Sequence, residues 1–565
     1  MLQHQLFSSA HLKRLLNPAS SKAAIGRLIG ASASLATVEL ESAADAPIVV
    51  IANDPRHADQ LEAEIRWFGG PKLPVQHFVE WETLPYDSFS PHQDIVSKRL
   101  KTLASLHGLS SGIVIISAPS LLQRLPPVDY VAAHTLKLDA GQTLQRQAFI
   151  DSLSACGYSR VPQVDAHGEF AVRGSLLDIF PMGSDQPIRI DFFDDELESL
   201  RYFNSDTQLS GDKISSLEIL PAREVPLDDD DIRYFRQQYR ERFEGQPSKS
   251  RVYRDISEGI AHGGIEYYLP LFFEKTATFA DYLPQNAVIL APNDLRSSLD
   301  QAWNEIGERH ELCSLDPERP ILSPTESFLT PESVATGLAH FSSIDYSGQT
   351  LAKGKNTINL ATRLPPAVRL EARYEDAAQS LMQFHDTFDG RILFTAESAG
   401  RRENVIELLA GRNIETARIE DWAEFASGTR KTAVAIAPID AGVMLPEHGL
   451  AIVSEQQLFG EKPRQRNRRI RKERDPETII RQLNDLEEGS PVVHAEYGIG
   501  RYIGLITLTT GGIEAEFLHL QYADGDKLYV PVNALDLISR YTGASPENAP
   551  IHRLGSDQWA KAKKR

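Results

Sequence analysis

Two short runs of uninterrupted apolar residues near the start of the chain constrain its fold more than any other feature. They are residues 47–52, PIVVIA, and residues 112–117, GIVIIS. Strands buried on both faces have this pattern, because helices cover both sides of a parallel sheet. Helical spacing in residues 57–68 and 94–106 separates the two runs. The sequence therefore predicts an α/β domain that extends to about residue 123.

Length, composition and charge exclude several classes of protein. A chain of 565 residues predicts about four domains of ordinary size. The hydrophobic fraction of 41% and the charged fraction of 24% are typical of globular cytosolic proteins, and no apolar run is long enough to span a bilayer. The net charge of −19 argues against a surface that binds nucleic acid throughout, so any DNA contact must be local. Cys156 and Cys313 have no metal-type spacing and predict reduced thiols.

Residues 30–37, GASASLAT, precede the first apolar run and invite comparison with a phosphate loop. Such a loop needs G-x-x-x-x-G-K-[ST], because its glycines let backbone amides approach phosphate and its lysine reaches the terminal phosphates. Gly30 is present, but Leu35 replaces the second glycine, Ala36 replaces the lysine, and only Thr37 matches. The segment predicts either an ATP site that has lost its function or an ordinary helix of small residues.

Alternating strands from residue 136 to residue 221 predict a small inserted α/β module with one unusual face. In residues 188–193, IRIDFF, the two isoleucines and Phe192 share one face, whereas Arg189, Asp191 and Phe193 share the other. Arg173 has the same polar position on the preceding strand. Arginine and aromatic side chains are common anchors of protein interfaces. Two interpretations stay open: this face binds a protein, or Phe193 turns inward while Arg189 pairs with Asp191 or with the acidic turn 194–196.

Residues 366–460 predict a further small α/β domain, followed by a dense basic run. Asp440 and Glu455 lie near its strand ends without a catalytic partner, and we expect both to be solvated. The seven Lys and Arg residues between Arg464 and Arg474 attract phosphate backbones in principle, but a solvated linker has the same composition. No residue set in the chain predicts a catalytic centre or a metal site.

The last module, from about residue 486 to residue 549, predicts five short strands. Gly511-Gly512 is a two-residue hairpin signal, and Asp524-Gly525 predicts the next turn. Five strands in this space predict a small barrel of the SH3 or Tudor kind. Leu508 alternates with Ile506 near the hairpin tip, and its residue type alone predicts a core position.

Several of these segments together resemble one family. The segments 83–94, 168–183, 188–193, 264–269 and 491–541 resemble the amino-terminal half of the bacterial transcription-repair coupling factors. The RGSLLDIFP element alone is less specific, because the excision-repair helicase UvrB carries a similar one. UvrB, however, has an intact phosphate loop and no carboxy-terminal barrel.

The resemblance implies a role for each module. It implies a UvrB-like domain with a degenerate nucleotide site, interrupted by an insert that binds UvrA through Arg173, Arg189 and Phe193. It also implies that the barrel binds the RNA polymerase β subunit, with Leu508 as a contact rather than a core residue. The expected domains are 1–134 and 222–355 for the UvrB-like domain, 135–221 for the insert, 356–460 for the small α/β domain, 461–485 for the basic linker, 486–550 for the barrel and 551–565 for the start of a connecting helix.

The family's ATP- and Mg²⁺-dependent translocase motor should follow the barrel, and no complete phosphate loop occurs in this chain. We therefore expect a fragment without a bound cofactor or enzymatic activity, which contacts DNA mainly through the absent motor. The expected function is to bind stalled RNA polymerase and recruit UvrA in the cytoplasm. Two alternatives remain: a UvrB-like ATP-dependent helicase subunit, and a transcription regulator that binds only polymerase.

Overall fold

The structure is a computed structural model, and it describes residues 6–16, 22–205, 207–316, 318–366, 368, 375–459, 489, 491–494, 497–510, 513–531, 538–540, 551 and 553. The chain divides into two compact units, Met1–Lys462 and Pro463–Arg565. Within the described part, no helix combines the length and the apolar character needed to cross a membrane.

The first segment of the chain alternates strands and helices, as the apolar runs predicted. Its elements are α1 (Ser9–Leu15), β1 (Lys22–Gly26), α2 (Ser32–Ala43), β2 (Ile48–Ala52), α3 (Pro55–Gly69), β3 (Val75–Phe78), α4 (Gln93–Leu106), β4 (Ile113–Ser117), α5 (Ala118–Leu121) and α6 (Val128–Ala133). Every residue of β2 and β4 is buried, which confirms the two predicted strands. Strand β1 was not predicted, because its short KAAIG sequence has no continuous apolar run.

The second segment is a separate, mostly antiparallel layer. It contains β5 (Leu136–Asp139), α7 (Arg146–Ala155), β6 (Ser159–Arg160), β7 (Glu169–Arg173), β8 (Leu176–Ile179), β9 (Ile188–Phe193), β10 (Glu196–Phe203), β11 (Ser210–Ile214) and β12 (Ser216–Ile219). Six of these strands form one sheet in the order β11-β10-β9-β8-β7-β6, and β12 pairs with β5. One face of the sheet covers α7 and a core that includes Phe170, Leu177 and Ile190.

The chain then returns to the first sheet. The elements are α8 (Asp229–Arg242), α9 (Arg251–Ser257), α10 (Phe279–Tyr282), β13 (Val288–Pro292), α11 (Leu295–Cys313), α12 (Pro324–Ser327), α13 (Pro331–Leu338), β14 (Ser342–Tyr346) and β15 (Thr357–Asn359), with 3-10 turns at Pro247–Lys249 and Ile265–Leu271. The completed sheet has seven parallel strands in the order β15-β1-β14-β13-β2-β4-β3.

A second α/β layer packs against this sheet's domain. It contains α14 (Glu375–Thr387), β16 (Arg391–Ala396), α15 (Ala399–Ala410), β17 (Ala417–Arg418), α16 (Trp422–Ser427), β18 (Thr432–Ile436), β19 (Val443–Leu445), a 3-10 turn (Pro446–His448), β20 (Leu450–Val453) and α17 (Glu455–Phe459), and its strand order is β17-β18-β16-β20-β19. One apolar cluster joins the two layers, because Leu35 and Leu40 of α2 belong to the same buried core as Trp422 and Val443.

In the second unit, the residues that the structure describes form five antiparallel strands. They are β21 (Pro491–His494), β22 (Gly498–Thr510), β23 (Ile513–Gln521), β24 (Lys527–Pro531) and β25 (Ile538–Arg540), with a 3-10 turn at Ala523–Gly525 and the order β24-β23-β22-β21-β25. Thr510 pairs with Ile513, which confirms the predicted two-residue hairpin. The basic run 464–474 and the final segment 554–565 lie outside the described residues.

Candidate functional site

The outer face of the six-stranded sheet carries the residues that the sequence singled out. The inner residues of β9 are buried, whereas the alternate residues Arg189 and Asp191 are half-buried and Phe193 is exposed. This confirms the predicted separation of faces. Because β8 pairs with β7 and β9 on its two sides, Arg173, Leu176 and Asp191 fall in one cross-strand row of the outer face.

Phe193 lies at the end of β9 with its ring in solvent. Its exposed fraction of 69% excludes the interpretation in which the side chain turns inward. The chain reverses directly afterwards, where Asp194 has a left-handed φ of 54°. An aromatic side chain in this position offers a large apolar area to a partner without first leaving a core.

Arg173 ends β7 on the same face and is exposed. Its only described hydrogen bond runs from Nη2 to the Pro162 carbonyl oxygen, at 3.1 Å. Of the five N–H donors of a guanidinium, most therefore remain available to an acidic partner.

Arg189 is bound differently from either sequence-based expectation. Its Nε and Nη2 atoms donate to both carboxylate oxygens of Asp178, at 2.7 and 3.0 Å, and not to Asp191 or to the 194–196 turn. The strand register explains this choice, because Asp178 lies directly opposite Arg189. The side chain of Asp178 is only 3% exposed, and its hydrogen bond raises the pKa of Arg189.

Helix α4 attaches the module to the first domain through polar contacts that the sequence analysis missed. His167 contacts Asp94 at 2.9 Å, and the Gly183 amide donates to the Ser97 hydroxyl at 2.8 Å. Arg99, which is fully buried, pairs with Glu224 at 2.5 Å. An arginine and a glutamate 125 positions apart give no local pattern that could have revealed this pair.

The degenerate phosphate-loop segment begins in the loop after β1 and continues into α2, so strand, loop and helix follow one another. Leu35, Ala36 and Thr37 are not in the loop but in α2, and all three are buried. The Thr37 hydroxyl donates to the Ala33 carbonyl oxygen at 2.8 Å. These side chains are buried on a helix and do not form a loop around a phosphate group.

Protein backbone occupies the place that a phosphate would need at the start of α2. The Ala31 amide, at the helix N-cap, donates to the Ala441 carbonyl oxygen at 2.9 Å. A Cβ atom on Gly30, which has a left-handed φ of 56°, would lie 2.3 Å from the Gly442 carbonyl oxygen. Glycine is thus required at position 30 by the approach of the 441–442 backbone. The residues present do not fit a nucleotide.

Buried polar side chains fasten α2 and α3 to the same loop. Ser34 donates to Glu64 at 2.6 Å, and Gln60 donates to Glu64 at 2.7 Å and to the Pro438 carbonyl oxygen at 2.8 Å. Burial raises the pKa of Glu64 to about 7. This contact is formed by the small α/β domain, whose residues 366–460 suggested no function from sequence.

The expectation that Glu455 is solvated was wrong. Glu455 is 4% exposed, accepts a hydrogen bond from the Glu397 amide at 2.9 Å and pairs with Arg401. It caps the carboxyl ends of two parallel strands, β16 and β20, where it is part of the domain's structure. Among the residues that the structure describes, no group of three or more His, Cys, Asp or Glu could hold a metal ion.

In the second unit, the register of β22 against β23 defines two alternate series of residues. Leu505 pairs with Leu518, which is fully buried, whereas Ile506, which is 36% exposed, pairs with Phe517. Leu508 pairs with Ala515 and belongs to the Ile506 series. The side chain of Leu508 lies outside the described residues.

Three family models match successive parts of the chain. Residues 136–225 match the UvrB interaction domain, residues 384–458 match the MFD D3 domain, and residues 486–542 match the CarD-like/TRCF RID domain. The first match covers the six-stranded sheet and the candidate face. The second covers the layer that packs against α2, and the third covers the five antiparallel strands.

Curated relatives match almost the whole chain. The transcription-repair-coupling factor of Escherichia coli is 39% identical over 542 residues, which are 96% of this chain and 47% of the relative. The factor of Haemophilus influenzae is 38% identical with the same coverage, and that of Myxococcus xanthus is 29% identical over 95% of this chain. The chain spans about half the length of the curated relatives it matches. The chain is therefore similar to the transcription-repair-coupling factors over about half of their length, and it matches three domain models in succession.

Proposed function

We propose that this chain couples stalled transcription to nucleotide excision repair by binding two protein partners. The module 136–225 recruits UvrA, and the five-stranded unit binds the β subunit of RNA polymerase. Two interfaces on one chain raise the local concentration of the repair protein at the polymerase without any new contact between them. We infer that this takes place in the cytoplasm.

One observation carries the proposal: the outer face of the inserted sheet presents a largely unpaired arginine and an exposed phenylalanine. Arg173 and Phe193 belong to adjacent cross-strand rows of a sheet whose opposite face is buried. Such a pair offers both directional bonds and apolar area, which is the chemistry of interface hot spots. The match of this part of the chain to a UvrB interaction domain supports UvrA as the partner.

The second interface is inferred for the five-stranded unit, which we interpret as a small barrel of the SH3 or Tudor kind. Ile506 and Tyr529 are 36% and 38% exposed, and both belong to the series opposite the buried Leu518. Leu508 shares that series, which supports a contact role over the core role that its residue type alone predicted. The match to an RID domain of coupling factors supports polymerase as the partner.

We further propose that the first domain is a UvrB-like fold whose nucleotide position is inactive, so that this part of the chain binds no ATP or Mg²⁺ and has no enzymatic activity. The loss of the second glycine and lysine supports this, as does the Ala441 carbonyl at the start of α2. In the coupling factors, ATP hydrolysis and most DNA contact would then belong to a separate motor. An additional DNA contact by residues 464–474 stays a prediction.

Binding of the chain to immobilised UvrA tests the first interface. We expect Arg173→Ala combined with Phe193→Ala to abolish binding while the thermal unfolding temperature stays unchanged. Phe89→Ala is the matched control, because Phe89 is 70% exposed against 69% for Phe193 but lies in the first domain. Equal affinity of the double variant and the wild type would remove the assignment.

Binding to the isolated polymerase β subunit tests the second interface. We expect Leu508→Arg to disrupt binding while circular dichroism and the unfolding temperature of the unit are retained. Loss of the fold in this variant would instead return Leu508 to the core. Retention of UvrA binding by the same variant serves as the internal control.

The two experiments also separate the alternatives. A regulator that binds only polymerase would fail to retain UvrA. A UvrB-like helicase subunit would bind ATP saturably at micromolar concentrations in a nucleotide titration, and we expect no such binding.

A further inference from the structure

We propose that Leu209 is a second apolar anchor of the UvrA-binding face, and that Arg189 is a positioning residue that holds the turn carrying Leu209. This inference rests on the proposed function of the outer face. It changes the role of Arg189, which family resemblance suggests as a direct contact, and it extends the face to a turn that no sequence pattern marked.

The guanidinium of Arg189 is already engaged within the module. Besides its fork to Asp178, Nη1 donates to the Gln208 carbonyl oxygen and to the Ser210 hydroxyl, both at 3.1 Å. The guanidinium carbon lies 4.9 Å from the centre of the Phe203 ring. With four acceptors in place and a side chain only 16% exposed, little of the five-donor capacity remains for a partner carboxylate.

The acceptors of Arg189 lie on both sides of Leu209 in the turn between β10 and β11. The same turn is closed by two hydrogen bonds: the Asn204 amide donates to the Leu209 carbonyl oxygen at 3.0 Å, and the Gln208 amide donates to the Asn204 carbonyl oxygen at 2.7 Å. Gln208 has a left-handed φ of 59°, a conformation that these bonds maintain. Leu209 is consequently presented to solvent from a braced turn, with 67% of its area exposed.

The two apolar anchors bracket a positively charged strip. Phe193 is four residues from Arg189 along β9, roughly 13 Å at about 3.3 Å per residue, and Leu209 lies on the far side of Arg189. In the cross-strand row of Arg189, Arg201 and then Lys213 follow, so this row carries two cations besides the Arg189–Asp178 pair, and Asp191 is the one acidic residue between Arg189 and Phe193 on β9. The occupant of this face is therefore a UvrA surface with two apolar recesses on either side of an acidic strip.

Affinity of the chain for immobilised UvrA tests the anchor. We expect Leu209→Ser to weaken binding at least tenfold, because a desolvated leucine at an interface contributes through its buried area. Leu315→Ser is the matched control, since Leu315 is 80% exposed but lies in the first domain, and it should bind like the wild type. Both variants should unfold at the wild-type temperature.

A double-mutant cycle tests the positioning role. If Arg189 acts through Leu209, Arg189→Ala combined with Leu209→Ala should lose no more affinity than the more damaging single change. Arg189→Ala combined with Phe193→Ala should instead show additive losses. Because Arg189→Ala leaves Asp178 buried and unpaired, the cycle is repeated with Asp178→Asn plus Arg189→Gln in place of Arg189→Ala, which removes both charges and keeps the fold testable.

The outcomes separate this inference from the proposed function. If the wild type binds UvrA and Phe193→Ala weakens binding but Leu209→Ser does not, Leu209 is no anchor and only the inference fails. Additive losses for Arg189 and Leu209 would make Arg189 a direct contact and overturn its positioning role. If the wild type does not bind UvrA at all, the proposed function and the inference both fail.

Discussion

Replacement of Glu224 by Gln would test how the inserted module is held to the first domain. Arg99 is 0% exposed, and Glu224 accepts from its Nε at 2.5 Å and from its Nη2 at 3.3 Å. The remaining Nη1 donor reaches the Val79 carbonyl oxygen and the Gln123 side chain, both at 2.9 Å. The guanidinium also lies over the Phe78 and Trp81 rings, at 4.2 and 4.9 Å. The charge of Arg99 is therefore buried.

The magnitude follows from what Glu224→Gln leaves behind. Removing one partner of a buried ion pair costs about 3–5 kcal/mol, because the other charge stays desolvated and unpaired. Gln keeps the shape and one acceptor, so we expect the lower end, about 3 kcal/mol. At a factor of ten for each ~1.4 kcal/mol, local opening should become roughly 150-fold more frequent.

Native-state hydrogen exchange measures this opening at the amides of α4 and of residues 222–225. UvrA affinity should not change, because neither Arg99 on α4 nor Glu224 after β12 is part of the six-stranded sheet that carries Phe193. A double variant, Arg99→Met with Glu224→Met, should restore most of the protection, since it removes both charges and roughly conserves volume. Exchange rates within threefold of the wild type in Glu224→Gln, or no recovery in the double variant, would refute the reasoning.

Three further predictions concern charge and packing. Burial raises the pKa of Glu266 from 4.5 to about 7, so its contribution to stability is complete below pH 4.5 and is lost as the pH rises to 7. In urea unfolding, Glu266→Gln should reduce the pH dependence of the unfolding free energy over this range by about 3 kcal/mol. An unchanged dependence of the unfolding free energy on pH would contradict the assignment. Gly442→Val should lower the unfolding temperature without creating nucleotide binding, because the new Cβ atom would lie 2.2 Å from the Ile452 carbonyl oxygen. Gly400→Ala is the control: its Cβ atom would have no neighbour within 4 Å, so the unfolding temperature should stay the same or rise. UvrA affinity should fall as ionic strength rises, because the Arg201 and Lys213 row is exposed to screening, and salt-independent binding would argue against an acidic partner surface.

Local pattern alone determined the elements that have a strong period. The apolar runs at 47–52 and 112–117 became the central strands β2 and β4, because burial on both faces leaves a continuous signature in the sequence. Alternation in residues 188–193 determined which side chains share a face, but only the structure decided that Phe193 is exposed rather than turned inward at the strand end. The hairpin at Gly511-Gly512 was also readable, since turn length and residue type restrict one another.

Tertiary structure decided the partners of those side chains. Arg189 had two acidic candidates close in sequence, but strand register gave it Asp178, because pairing across a sheet is set by the whole ladder rather than by neighbours along the chain. The start of α2 contains no lysine, yet only the fold shows that Ala441, about 400 positions away, satisfies its amide. No periodic pattern in the sequence marks Leu209, because its exposure depends on a turn that hydrogen bonds from Arg189 hold in place. Sequence carries periodicity and residue type, whereas long-range pairing emerges only when the domains pack.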